Sequence, residues 1–191
     1  AYGGLVNFTE SANSAAPNTT IPVAQLLATS AATTIDVALT PKGTGAILAQ
    51  IPNNAASGGN KRGQNAIDLQ MVRSAATQVS SGNYATISGG QNNTASGLNS
   101  TVSGGTSNTA SGQNATVGGG SINTATSTGA TISGGNSNQA SNSNTTIGGG
   151  NGNVASGQNA TVGGGDVNSA AGLNATVAGG STNSASVSAA T

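Results

Sequence analysis

Ten side chains carry the titratable groups that acid–base chemistry would need: Glu10, Asp36, Asp68, Asp166, Lys42, Lys61, Arg62, Arg73, Tyr2 and Tyr84. General acid–base catalysis requires such groups to be held beside a substrate. Glycoside hydrolysis requires two carboxylates that face each other across the scissile bond. The four acids are isolated from one another in the sequence. We therefore predict no catalytic residues and no enzyme activity.

Nucleophilic and metal chemistry also lacks the usual residues. The chain has no His and no Cys, so its many serines have no imidazole to activate them. The acidic run GGGD at 163–166 occurs once, whereas calcium-binding β-helices repeat a Gly/Asp motif. The KGTG run at 42–45 has the wrong order of Gly and Lys for a phosphate loop. The sequence thus predicts no cofactor and no metal, and we interpret Lys61-Arg62 as a solvated turn or a subunit contact.

Composition limits the partners and the kind of core. Net charge is +0 and charged residues make up 4% of the chain, so no electrostatic attraction to nucleic acid is expected. The most apolar window, residues 21–39, is interrupted by Pro22, Gln25 and Asp36, so we predict no membrane insertion. Aromatic residues are only 2%, which is too little apolar area for an ordinary globular core. Two kinds of chain remain compatible with this composition: a disordered segment and a repeat architecture.

A period of 15 residues, unbroken through 84–191, favours the repeat architecture. Each period contains Thr followed by a β-branched residue, then Gly-Gly, an asparagine and an alanine. The β-branched residues are Ile87, Val102, Val117, Ile132, Ile147, Val162 and Val177. The alanines are Ala95, Ala110, Ala125, Ala140, Ala155, Ala170 and Ala185. The asparagines are Asn93, Asn108, Asn123, Asn138, Asn153, Asn168 and Asn183. A disordered linker has no physical reason to keep such a register.

The length and content of the period predict a β-solenoid. Fifteen residues are too few for a helix–turn–helix repeat, and no apolar spacing of 3.6 residues is present. Thr-Ile/Val favours a strand and Gly-Gly favours a corner. We predict an all-β protein, with a small N-terminal β region followed by a solenoid whose Ile/Val and Ala columns point inward. Two interpretations of the asparagines stay open: amide ladders along the stack, or caps that each bind their own turn.

Association of several chains is expected because each coil is poor in apolar area. One Val or Ile and one or two Ala per coil do not offset the conformational entropy of ordering fifteen residues. We predict a homo-oligomer, a trimer about a shared axis, with small uncharged side chains allowing close approach. The same periodicity fits three chains with interleaved strands and a head-to-tail polymer.

The first part of the chain has a different composition and predicts three regions: residues 1–58, 59–83 and 84–191. The first is an N-terminal docking or assembly region that includes a β-hairpin over 34–52. Its N-terminal stretch is an extended arm, a docking strand or part of a small β domain with the hairpin. The second is a linker with an irregular first coil, in which Ile67 corresponds to Ile87. A short helix over 68–78 is the alternative. The third is the seven-coil solenoid.

A resemblance to a known family appears at residues 59–97. There GNKRGQNAIDLQMVRSAATQVSSGNYATISGGQNNTASG resembles the junction and first repeats of bacteriophage fibre proteins, and DVALTPKGTGAILAQIP at 36–52 resembles an element upstream in the same proteins. The coil is also similar to that of trimeric autotransporter adhesin heads, which are left-handed β-rolls. The chain shows no coiled-coil stalk, membrane anchor or C-terminal chaperone domain, so we expect a short fibre or a processed product.

The resemblance implies a virion fibre, which projects the solenoid from a phage tail or capsid and docks through residues 1–83. One alternative is a subunit of a cellular extracellular filament that assembles head to tail through an N-terminal strand. Another is an adhesin whose repeats bind host surface glycans. All three imply an extracellular or virion-surface location. The expected partners are other copies of the chain and an anchoring protein of the virion or cell surface.

Overall fold

The structure, a computed structural model, describes the backbone of residues 8–13 and 23–28, and backbone and side chains of residues 41–189. The chain divides into two compact units, Ala1–Thr40 and Pro41–Thr191. In the first unit, β1 (Phe8–Asn13) pairs antiparallel with β2 (Val23–Ala28). The remaining residues of the predicted N-terminal arm, and residues 34–40 of the predicted hairpin, lie outside the described part of the chain.

The second unit is a parallel β-solenoid, which confirms the predicted fold class. Its longer sheet has nine two-residue strands, each paired in parallel with the equivalent strand of the next coil. The strands are β3 Ile47–Leu48, β4 Ile67–Asp68, β5 Thr86–Ile87, β7 Thr101–Val102, β9 Thr116–Val117, β11 Thr131–Ile132, β13 Thr146–Ile147, β15 Thr161–Val162 and β17 Thr176–Val177. At about 4.8 Å between strands, the nine rungs extend about 38 Å.

Two further lines of parallel contact complete each coil. A second sheet has seven strands: β6 Thr94–Ala95, β8 Thr109–Ala110, β10 Thr124–Ala125, β12 Gln139–Ala140, β14 Val154–Ala155, β16 Ser169–Ala170 and β18 Ser184–Ala185. Between the two sheets, one residue per coil forms a parallel bridge to the next coil, from Gln91 to Ser181. Each 15-residue coil therefore hydrogen-bonds to its neighbours along three lines. In the parts of the chain that the structure describes, no helix is long and apolar enough to cross a membrane.

Glycine at the corner after each Thr-Ile/Val strand has a steric cause. The second glycine of each Gly-Gly pair, such as Gly120, has φ between +82° and +97°. A Cβ on Gly120 would collide with the carbonyl oxygen of Gly135 in the next coil. Only glycine combines this backbone conformation with so close an approach. The corner thus sets both the turn and the stacking distance between coils.

The solenoid begins earlier in the chain than the sequence predicts. Ile47–Leu48 pairs in parallel with Ile67–Asp68, so it is the first described rung of the solenoid. The first two coils, 47–66 and 67–85, are longer than the others because residues 51–60 and 69–79 form extra turns. The alternative helix over 68–78 is wrong, since these residues form strand and turn structure.

A second corner holds strained residues. Ile122 and Val167 have φ of 59° and 53°, although β-branched side chains disfavour the left-handed region. Asn92 takes the same conformation at the equivalent position of the first 15-residue coil, with φ of 58°. Asparagine tolerates this region because its side chain can bond locally. The β-branched residues at this corner, Ile122, Val167 and Thr182, therefore reduce the stability of the coils that hold them.

We expect Val167→Asn to stabilise the protein by about 1 kcal/mol, because it relieves the left-handed strain. Thermal unfolding checks this, since 1 kcal/mol corresponds to a rise in Tm of about 2–4 °C for a chain of this size. Val154→Asn is the matched control, because Val154 lies in a strand, where asparagine is disfavoured. An equal or lower Tm for Val167→Asn would contradict the assignment of strain to this corner.

Candidate functional site

The structure places the predicted columns on the inside of the solenoid, except for Asn183 of the last described coil, which is exposed. The Ile/Val column, from Ile87 to Val177, and the alanine column, from Ala95 to Ala185, are no more than 5% exposed. The predicted asparagines from Asn93 to Asn168 are no more than 1% exposed. The threonines before the Ile/Val column point outward and are half-buried or exposed. The candidate site is therefore the continuous interior of the described coils.

Both interpretations of the asparagine column hold at once. Asn108 Nδ2 donates to Gly104 O of its own turn at 3.0 Å and to Gly120 O of the next coil at 2.9 Å. Asn108 Oδ1 accepts from the backbone N–H of Asn123 at 3.0 Å. Each amide thus caps its own turn and also bonds the next coil. The ladder runs mainly through the next backbone N–H, and amide-to-amide bonds appear only from Asn138 to Asn168.

The structure contains a further inward column that the repeat pattern did not reveal. The residue before each Thr-Ile/Val strand is small and buried: Ala66, Ala85, Ser100, Ala115, Ala130, Thr145, Ala160 and Ala175. Its signal was present, because a small residue precedes the threonine in all seven repeats. Alanine, serine and threonine are common throughout this chain, so the column did not stand out. The interior is therefore filled by two small-residue columns, one β-branched column and one amide column.

A buried charged cluster occupies the first two coils. Arg62 Nε donates to Asp68 Oδ2 at 2.7 Å, and Arg73 Nη2 donates to the same oxygen at 3.1 Å. The three residues are no more than 8% exposed. Arg62 Nη1 also donates to the carbonyl oxygens of Gly58 and Asn60 at 2.6 and 2.9 Å. The cluster thus binds the extra turn of the first coil to the strand of the second.

Arg73 and Gln70 extend the cluster to neighbouring coils. Arg73 donates to the carbonyl oxygens of Gln70 at 2.7 Å and Gln78 at 2.9 Å, and to Gln50 Oε1. Gln70 Oε1 accepts from the backbone N–H of Asn93 at 2.8 Å, which is the bond that each ladder asparagine makes to the next. Gln70 therefore begins the amide ladder, and the charged cluster closes the interior before it.

Burial has an electrostatic cost at Arg62. Removal from water lowers the pKa of the Arg62 guanidinium, and the charge and hydrogen bond of Asp68 oppose that shift. Arg62 Nη2 is buried without a hydrogen-bond partner among the described residues. One carboxylate thus compensates two guanidiniums, so the cluster depends on Asp68.

Two sequence interpretations are corrected by this cluster. Asp68, not Ile67, is in register with Ile87, and Ile67 pairs with Thr86. Arg62 is a buried ion-pair partner and not a solvated turn, whereas its neighbour Lys61 is exposed. The apolar side chain of Ile67 suggested the wrong register. Aligning Asn65-Ala66 with Asn114-Ala115 would have placed an aspartate in the Ile/Val column.

We expect Asp68→Asn to destabilise the protein by about 2–3 kcal/mol, because two buried guanidiniums lose their anion. The loss falls at the low end for a broken buried pair, since the amide oxygen still accepts one hydrogen bond. Denaturant unfolding measures it, and hydrogen exchange over residues 47–85 locates it. Lys61→Gln is the control and should change stability by less than about 0.5 kcal/mol. Equal stability of the two variants would contradict the role given to Asp68.

The other titratable candidates are dispersed. Asp166 is exposed and accepts from Asn151 Nδ2 at 2.9 Å. It follows β15, six rungs beyond Asp68, or about 29 Å along the stack. These two carboxylates therefore cannot serve one glycosidic bond. Lys42 and Tyr84 are exposed. The side chain of Glu10, and all of Tyr2 and Asp36, lie outside the described residues.

Two grooves lie at the first and the last described coils. The groove at the first coils is about 560 Å³ and is lined in part by Ala46, Leu48 and Lys61. The groove at the last described coil is about 300 Å³ and is lined in part by Val177 and Asn183. Over residues 41–189 and the two described strands before them, no group of three or more His, Cys, Asp or Glu could hold a metal ion.

No protein-family model matches the chain, and no curated protein matches it in sequence.

Proposed function

We propose that the chain is a non-enzymatic structural fibre subunit that projects its solenoid from the surface of a bacteriophage virion, on the tail or the capsid. The observation that carries the proposal is the uninterrupted repetition of one bonding pattern over residues 86–189. Along residues 86–175, each coil bonds to the next through its backbone and one buried amide, and its Ile/Val, alanine and small-residue columns pack against those of the next coil. Such a chain acts through its shape and its length.

Lateral association into a trimer is part of the proposal. The chain buries few large apolar side chains, yet the second unit leaves several on its surface: Ile51, Leu69, Met71, Val72, Leu98, Ile122, Val167, Leu173 and Val187. These side chains are between 41% and 84% exposed. Exposed apolar groups on a rod with so little charge favour contact with other copies. Sedimentation equilibrium tests this, and a mass three times 17.8 kDa is expected.

The virion itself provides the test of function. Antibody raised against the repeat segment should label fibres that project from the tail or capsid of purified particles, and mass spectrometry of those particles should find the chain. Trypsin treatment of the particles is a useful control, since cleavage after Lys42, which lies in an exposed turn just before the first rung, should remove the label. Labelling of cellular filaments instead, with none on particles, would overturn the virion assignment in favour of the filament.

A cellular extracellular filament is the second candidate, and the large apolar side chains exposed along the second unit, which favour association of copies, support it. In either role the chain works outside the cell or on the virion surface, held by an anchoring protein. Binding to host glycans is a separate activity. A saturable signal on a glycan array would support an adhesin, and neither structural role requires one.

A further inference from the structure

The two extra turns of the first described coils contain many hydrogen bonds between residues that are close in sequence. In the first extra turn, Asn53 Oδ1 accepts from the backbone N–H of Gly58, five residues away, at 3.0 Å. In the second, Gln78 Oε1 accepts from the N–H groups of Ser74 and Ala75 at 2.8 and 2.9 Å, four and three residues away. Short loops of this kind lose little chain entropy when they close.

The charged cluster joins the two extra turns over an equally short stretch of chain. Its two arginines donate to Asp68 Oδ2 from six and five residues away in the sequence. The turns also bond each other directly, because Asn60 donates its N–H to Ala76 O at 2.8 Å. The two turns and the cluster therefore form one local network, residues 51–79.

Hydrogen bonds between the 15-residue coils join residues that are further apart in sequence. Asn108 Nδ2 donates to Gly120 O, 12 residues away, and Asn108 Oδ1 accepts from the N–H of Asn123, 15 residues away. Backbone bonds have a similar span, since Thr116 donates its N–H to Ala130 O at 2.9 Å. Contacts at low sequence separation form faster than contacts that must close long loops. The local network therefore closes at a lower entropic cost than a stack of two 15-residue coils.

The second coil also supplies the surface on which the first 15-residue coil stacks. Gln70 Oε1 accepts from the N–H of Asn93, and Gln70 Nε2 donates to Asn93 O, both at 2.8 Å. Leu69 donates its N–H to Ile87 O at 2.9 Å. The 15-residue coils are nearly equal in sequence, so pairing among them alone does not specify one register. A coil that forms first and differs from the others removes that ambiguity.

We propose that the local network is the folding nucleus of the rod, and that the 15-residue coils add to it one after another in chain order. Each added coil then presents the same backbone groups and the same buried amide to the next one. In a chain of equal repeats alone, folding could begin at any coil. The network thus sets both the start of folding and the register of the stack. This order of folding does not depend on the virion role.

Two variants that remove buried interactions at different places in the rod test this order. Asp68→Asn removes the anion of the local network, and Asn153→Leu removes the ladder bonds of a late coil to Gly149, Gly165 and Asn168. Stopped-flow circular dichroism measures refolding and unfolding rates, at chain concentrations low enough that the refolding rate is independent of concentration. Asp68→Asn should slow refolding at least about tenfold and change unfolding less than about threefold. Asn153→Leu should leave refolding within about twofold and speed unfolding at least about tenfold.

A refolding rate of Asp68→Asn within about threefold of the wild-type rate would overturn the proposal, and so would equal slowing of refolding by the two variants. Equilibrium circular dichroism first checks that each variant folds. If Asp68→Asn does not fold, Gln78→Met takes its place, because it removes the three bonds that Gln78 Oε1 accepts within the second extra turn. Gln78→Met should slow refolding at least about threefold, and an unchanged rate would overturn the proposal.

A milder late variant is Ile147→Val, at a fully buried position of the Ile/Val column. It replaces Asn153→Leu if that variant does not fold, and it should leave refolding within about twofold of the wild-type rate. Slower refolding than that would place the late coils in the nucleus and overturn the proposal. Absence of the chain from virion particles would refute the virion role and not this inference.

Discussion

Ile132→Asp is expected to destabilise the protein by at least about 5 kcal/mol, which is comparable with the whole stability of many domains. Ile132 is fully buried between Val117 and Ile147 of the adjacent rungs. A carboxylate there loses its hydration and gains no cation. Far-ultraviolet circular dichroism at 25 °C should show loss of the β signal, and denaturant unfolding should show a lowered midpoint if any folded protein remains.

The native chain contains the comparison that supports this expectation. Asp68 lies in the same column, and it is held there by Arg62 and Arg73 at 2.7 and 3.1 Å. An aspartate is thus tolerated in the column when two guanidiniums accompany it. Ile132→Val is the matched control, since valine occupies this column in four coils, and it should cost about 0.5–1.5 kcal/mol. If Ile132→Asp unfolds at the same midpoint as this control, the inward assignment of the column is wrong.

Asn123→Leu is expected to cost about 4 kcal/mol, although leucine is apolar and close in size to asparagine. Asn123 Oδ1 accepts from the buried backbone N–H of Asn138 at 3.0 Å, and Nδ2 donates to Gly119 O and Gly135 O, both at 2.9 Å. Leucine leaves the N–H of Asn138 and the carbonyl of Gly119 without partners, and each unpaired buried group costs about 1–3 kcal/mol. Denaturant unfolding at 25 °C measures the loss.

Asn136→Ser is the control that distinguishes the loss of a buried ladder amide from the loss of an exposed asparagine. Asn136 is an exposed residue of the bridge line, and Ser121 and Ser181 occupy the same line in other coils. We expect a change of less than about 0.5 kcal/mol for this substitution. Similar losses of stability for Asn123→Leu and Asn136→Ser would show that a buried amide contributes no more than an exposed one. That result would contradict the structural role of the ladder.

The fold class followed from the sequence because the period is enforced physically. A coil of different length needs an extra turn to return the chain to register, as in the first two coils, so an unbroken spacing of Thr-Ile/Val pairs directly reports a stack of equal coils. The glycine corners were predictable for the same reason. The asparagine ladder was predicted as one of two interpretations, and each amide has enough donors and acceptors to satisfy both.

The first two coils were harder to predict because the hydrophobic pattern is inverted there. Ile67 faces away from the column, and the interior position holds the charged Asp68. A single-sequence argument treats an isoleucine as buried and an aspartate as exposed, which is correct except where a charge is paired. The cations that permit the exception have no equivalent in the repeat, since Arg73 lies in the second extra turn and Arg62 lies just after the first.

Residue-resolved amide hydrogen exchange of the purified chain tests the stacked-coil architecture most directly. Protection should recur every 15 residues: within the coil 116–130, Thr116, Gly118, Ser121 and Thr124 donate to the next coil and should exchange slowly. Gly119 and Gly120 donate no backbone hydrogen bond and should exchange quickly. Rapid exchange throughout residues 86–175, or protection without the 15-residue period, would contradict a rod of stacked and equal coils.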